Sequence, residues 1–162
     1  MYKDGFFAIE YFLVAPLHCK YVSSEYGRSV SNPDYRNGGM EMDSDQTIDE
    51  MKRAVIAFRD ERNWKQYHDP KNLSIGLSIE AAELQELFLW KSKEEVESML
   101  STKEGFLRMQ QEIADIFIFL LYLSSECKID LSAAVQEKIK LNREKYPVEK
   151  SYNSNRKYTE LE

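Results

Sequence analysis

The sequence is poor in the residues that build covalent or soft-metal scaffolds, with two cysteines, two histidines and two tryptophans in 162 residues. Cys19 and Cys127 form no Cys-x-x-Cys pair, which argues against a disulfide framework or a thiolate zinc site and favours a reducing, cytoplasmic setting. Neither His18 nor His68 follows a glutamate by three residues, so the inward Glu-x-x-His pairs of a di-iron carboxylate bundle are missing. No apolar run reaches the roughly 18 residues of a membrane-spanning helix. The apolar stretch over residues 5–19 is interrupted by Glu10 and lacks a small-x-small cleavage site, so it reads as a packing arm rather than a secretion signal. Basic excess is absent as well. A net charge of −6 and a pI near 5.1 offer no surface for tracking polymeric nucleic acid, although a small phosphate ligand that carries its own cation meets no such obstacle.

What is present is a chain of ordinary globular composition, 31% charged and 43% hydrophobic, long enough for one domain with a real core. Residues 20–46 are rich in Ser, Asn, Gly, Asp and Tyr and read as an irregular linker, so residues 1–46 form an arm and linker. Thr47-Ile-Asp-Glu50 is a capping box that opens a helix to about Asn63. Asp69 or Pro70 starts a second helix to about Trp90, and Ser92 caps a short acidic one over Lys93 to Met99. Ser101 or Thr102 begins a long helix to about Cys127, and Asp130 or Ser132 begins a last one that Pro147 ends. No convincing strand is visible. The expectation is an all-α bundle over residues 47–148, followed by a polar tail over 149–162 that frays. Ile113 to Leu123 is apolar nearly all round except for Asp115. Such a helix must be covered on every side, which points to a homo-oligomer, a dimer or a dimer of dimers.

Two acidic pairs carry the chemistry. At about 100° per residue, Glu80 and Glu83 lie about 60° apart on the face that also bears Leu73, Leu77, Leu84 and Leu87. Glu112 and Asp115 share a face with Ile116, Phe119 and Leu123 in the same way. A lone Glu-x-x-Glu is ordinarily a solvated face, but two pairs on the apolar faces of consecutive helices are not. Converging carboxylates repel by about 4 kcal/mol per pair at 4 Å and an effective dielectric near 20. A hard divalent cation relieves that repulsion, and all-oxygen ligation favours Mg²⁺, or Mn²⁺, over zinc. Glu86 projects off the face and reads as outer or solvent-facing.

Other candidates have plainer explanations beside the functional ones. Trp64 and Trp90 fall at helix ends near the first pair, where they could sandwich a planar ligand or serve as rim aromatics. A single histidine such as His68 is more often a surface or capping group than a ligand. Lys138, Lys140, Asn142, Arg143, Lys145 and Tyr146 form a basic turn that either complements a helix C-terminus or clamps phosphate.

The runs Phe58-Arg-Asp-Glu-Arg-Asn-Trp64, His68-x-Pro-Lys-Asn72, Glu80-x-x-Glu83-Leu-x-Glu-Leu-Phe-x-Trp90, Glu112-x-x-Asp115 and Asn142-Arg-x-x-Tyr-Pro147 together resemble the MazG-like nucleoside triphosphate pyrophosphohydrolases. Within that family they are most similar to the dCTP pyrophosphatase branch, over about residues 48–148. The resemblance implies an all-α, Mg²⁺-dependent oligomer that cleaves a nucleoside triphosphate between the α and β phosphates. It implies Glu80, Glu83, Glu112 and Asp115 as metal ligands, Trp64 and Trp90 flanking the base, and Lys138 and Asn142 on phosphate or sugar. Beside these, Glu83, or Glu80, is the candidate to activate water, and His68, Arg143, Lys145 and Tyr146 are candidates for the substrate site, with Lys138, Arg143 and Lys145 stabilising the pyrophosphate leaving group. Val55 and Phe119 stand where dCTP-hydrolysing members carry a histidine and a tyrosine. Fewer hydrogen bonds then read the base, so the expected substrate range is pyrimidine-leaning and broad. The rival from another class is a catalytically inactive helical partner-binding module.

Overall fold

Every long helix begins where a short polar side chain can cap it. In the computed structural model, which describes residues 46–161, α1 spans Ile48–Glu61. Thr47 Oγ1 accepts from the Glu50 amide at 3.2 Å, and the Glu50 carboxylate accepts from the Thr47 amide at 2.7 Å. A 3-10 turn, Trp64–Tyr67, follows a left-handed Asn63 (φ 53°); that reversal ends α1 slightly before the expected Asn63. Asp69 caps α2, Pro70–Glu86, with Pro70 in the first turn. α2 stops short of Trp90 because residues 87–90 turn off the helix. Ser92 caps α3, Lys93–Ser101, through a second capping box. Thr102 caps α4, Lys103–Glu126, and Asp130 caps α5, Leu131–Lys145. There is no strand among the described residues. The expected arm and linker, Gln46 apart, lie outside them.

The tail differs from the expectation of fraying. It forms a helical turn, α6 at Val148–Ser151, and a 3-10 turn at Tyr158–Glu160. The physical reason lies in contacts that periodicity does not encode. The Tyr158 ring meets Tyr146 edge-on at 5.9 Å, Lys145 Nζ sits 5.2 Å from the Tyr158 ring centre, and Ser151 Oγ donates to the Pro147 carbonyl at 2.8 Å.

α4 is the central helix. Its most extensive contact is with α2, and α3 and α1 also pack on it. Leu73, Phe119 and Tyr122 are buried at the centre, with Val55, Leu77, Ile118 and Leu123 packed around them. Leu73 and Leu121 are almost completely sequestered, each contributing about 1.5–3 kcal/mol relative to exposure. The Tyr122 hydroxyl donates to the Val55 carbonyl at 2.9 Å and ties α4 to α1. Arg59 is buried as well, bonded to Asp60 at 2.7 Å and facing Glu126 at 3.9 Å. By contrast, α5 packs only lightly on the rest of the chain.

α2 and α4 approach closely because residue 76 has no side chain. A Cβ there would fall 2.4 Å from the Phe119 ring. Gly76→Ala sets two effects in opposition. Alanine is favoured over glycine in a helix by about 1 kcal/mol, while overpacking a buried contact costs about 1–3 kcal/mol. Overpacking should win, because Phe119 is itself enclosed. We expect Gly76→Ala to lower the urea midpoint; an unchanged or raised midpoint would show that the ring yields freely.

Candidate metal centre

The Gly76–Phe119 contact also sets the acids. Glu80 lies one turn beyond Gly76 on α2, and Asp115 lies one turn before Phe119 on α4, so joining the helices there brings the carboxylates face to face. Ligand oxygens of Glu80, Glu112 and Asp115 all fall within 4.8 Å of one another. Glu80 is 7% exposed and the other two are half-buried. Three carboxylates this close, one of them removed from water, form an oxygen-donor set suited to a hard divalent cation. Of the four acids expected as ligands, three therefore converge. Glu83, half-buried one turn further along α2, stands outside that group of three. Glu86 is exposed, as its position off the face requires.

The two tryptophan candidates differ in exposure. Trp64 is half-buried and meets Phe58 edge-on at 6.0 Å. The Arg62 guanidinium lies 3.6 Å from the Phe58 ring centre and 5.9 Å from that of Trp64. Trp90, on a left-handed backbone (φ 62°), is 93% exposed, so the single chain does not close a sandwich. Lys138, Asn142, Arg143, Lys145 and Tyr146 are all exposed along α5 and its end. Val55 and Phe119 both belong to the apolar cluster, where neither side chain can offer a hydrogen bond.

Comparison with known proteins identifies the family. The family model described as MazG-like matches residues 75–161. A human protein named dCTP pyrophosphatase 1 is 38% identical over 115 residues, 71% of this chain and 68% of the relative. Its Bos taurus namesake is 39% identical over 124 residues, 76% and 73% respectively. The chain belongs to the MazG-like family. A solved structure of a pyrophosphatase from Archaeoglobus fulgidus superposes on this MazG-like chain with a TM-score of 0.57 at 40% identity, covering 62% of this chain and 92% of its own.

His68 is the candidate whose setting departs most from the sequence reading. Rather than a surface or capping group, it is buried, with its ring edge-on to Tyr122 at 4.8 Å. Its Nδ1 has no hydrogen-bond partner among protein atoms. The fold tucks it between the α2 N-terminus and α4, a neighbourhood that local sequence does not reveal. Arg59 and Tyr122 are likewise buried at positions that no local motif marks, although Arg59 follows Val55 by one turn and a helical wheel puts it beside the apolar stripe. Burial, and next the Arg59 charge, push the His68 pKa below its ordinary value, with Glu126 and Asp60 pulling the other way. The unfolded chain then binds the proton more readily than the folded one. The stability linked to His68 is full above the unfolded pKa of about 6.5 and is lost as pH falls from there toward the folded value. The melting temperature should therefore drop below about pH 6.5 more steeply in the wild type than in His68→Gln; equal slopes would remove His68 from the acid response.

The metal makes a separate prediction. Millimolar Mg²⁺ should raise the melting temperature relative to EDTA, by linkage worth about 2.7 kcal/mol at a hundredfold excess over the dissociation constant. Glu112→Ala should abolish that increment while leaving the metal-free protein as stable or more so, since one repelling charge is gone. Identical melting curves in EDTA and Mg²⁺ would refute the site.

Proposed function

We propose that this protein hydrolyses deoxynucleoside triphosphates with Mg²⁺, or Mn²⁺ in its place, releasing monophosphate and pyrophosphate, with a leaning toward pyrimidines and modified nucleotides. By its family and its relatives the chain is a nucleoside triphosphate pyrophosphohydrolase; the proposal adds the metal, the base range, the residue roles and the assembly. The observation that carries it is the convergence of Glu112 and Asp115 on the buried carboxylate of Glu80. Glu80, Glu83, Glu112 and Asp115 would hold the cation. Bound there, a divalent ion offsets phosphate charge and lowers the pKa of water. Glu83, placed beside the group of three, is suited to orient the attacking water and accept its proton, with Glu80 the alternative. Lys138, Arg143 and Lys145 would neutralise pyrophosphate as it leaves, while Asn142 and Tyr146 hold sugar and phosphate. Trp64 and Trp90 would stack on the base. His68 packs beneath Tyr122, whose hydroxyl holds the Val55 carbonyl, so it steadies that turn of α1.

Assembly belongs to the same proposal. Ile113 and Leu120 on α4 and Val135, Ile139 and Leu141 on α5 are between 37% and 55% exposed. Apolar side chains lying this open on adjacent helices support a homodimer or a dimer of dimers in which a neighbour covers them. The role that follows is removal of surplus or altered nucleotides from a cytoplasmic pool. The acid cluster disfavours the rival of an inactive partner-binding module, because a buried carboxylate in such a module is a cost without a return.

A screen of common and modified triphosphates, with phosphate products resolved, tests the reading. We expect pyrophosphate rather than orthophosphate as product. Because stacking tolerates every base and Val55 and Phe119 offer no polar group, preferences among pyrimidines should stay near 1–3 kcal/mol, roughly 5- to 150-fold. Orthophosphate release, or a dCTP preference of many thousandfold over dTTP and dUTP, would overturn it. Light scattering of the same preparation should give a mass above the 19.1 kDa of one chain.

A further inference from the structure

The C-terminal part of this acidic protein is basic. From Lys138 to Leu161 it carries seven Lys or Arg and three Glu, against a net charge of −6 for the whole chain. The α5 dipole accounts for Arg143 and Lys145 in its last turn. It does not account for Lys150, Arg156 and Lys157, which lie beyond the helix. The course of the backbone brings these residues back. Pro147 ends α5, α6 turns the chain, and Asn153 in the left-handed region (φ 56°) reverses it. The Arg156 amide then donates to Ser154 Oγ at 3.3 Å, and Tyr158 closes onto Tyr146 and Lys145. The loop so formed borders a shallow, open hollow of about 430 Å³, lined by Lys150, Asn153, Ser154, Asn155, Arg156, Glu160 and Leu161. The lining residues include two cationic, two amide and one hydroxyl-bearing side chain against a single carboxylate, a composition that suits an oxyanion. The segment lies inside the family match, which runs to residue 161.

We infer that residues 148–161 are a phosphate-binding arm of the nucleotide site, in which Lys150 and Arg156 take the terminal phosphates of the triphosphate and the pyrophosphate product. This rests on the function proposed above. Tyr158 is a positioning residue: its ring fixes Lys145 and Tyr146 and anchors the arm to the end of α5. Glu160 opposes the anion and limits its affinity, which lets product leave.

The test uses the full chain and two readouts, pyrophosphate binding by calorimetry and KM and kcat for a hydrolysed triphosphate. Lys150→Ala/Arg156→Ala should weaken pyrophosphate binding and raise KM by about tenfold or more, with the change falling on KM rather than kcat. Arg156→Lys should recover part of the loss, and Glu160→Gln should tighten pyrophosphate binding several-fold. Tyr158→Ala should raise KM, and Tyr158→Phe should recover it, because the edge contact needs only the ring. An unchanged pyrophosphate affinity and KM in the double variant, or loosened binding in Glu160→Gln, would overturn the arm. Should the wild type hydrolyse no triphosphate, the functional reading fails, and calorimetry with pyrophosphate still decides whether the cavity binds anions.

Discussion

The Phe119 ring against the bare backbone of Gly76 is the contact on which the rest of the site depends. It lets α2 and α4 come closer than two helices with ordinary side chains, with Glu80 and Asp115 one turn away and Glu112 about two turns from Phe119. A wider separation would leave Glu80, Glu112 and Asp115 as three solvated carboxylates with no common focus. The same approach buries Leu73 and Tyr122, so the apolar core and the acid cluster are built by one packing decision. Stability and function are therefore linked along a few residues of two helices.

That arrangement stores electrostatic cost. Folding drives together like charges that the unfolded chain keeps apart, and Glu80 also gives up most of its hydration. The apolar burial around Phe119 and Tyr122 has to outweigh this. A cation that bound only the assembled cluster would offset the cost directly and so couple its binding to folding. The buried Arg59 is also a charge inside the fold, and it pairs with Asp60 and faces Glu126.

One chain brings the three acids together but leaves other parts open. Trp90 stands in solvent, and α5 shows apolar residues along most of its length. The basic residues proposed to meet phosphate all sit on this lightly packed helix and the arm beyond it. Rigid acids on α2 and α4 and adaptable cations on α5 divide the work in a chemically sensible way. The metal site demands fixed geometry, whereas a long, flexible triphosphate can be gathered by mobile Lys and Arg side chains.

The sequence by itself determined the helices and the acid faces. Thr47, Asp69, Ser92, Thr102 and Asp130 each satisfy the first free amides of a helix through a contact three residues away, so the starts were legible locally. Helical periodicity likewise placed Glu80 and the Glu112–Asp115 pair on buried faces, because a fixed advance per residue needs no partner. Only the tertiary structure decided what those faces met. It brought Glu80, Glu112 and Asp115 together, buried His68 against Tyr122, enclosed Arg59 and folded the tail onto Tyr146. Each of those outcomes depends on residues distant in sequence, such as Gly76 admitting Phe119, and a one-dimensional period carries no record of the distance between two helices.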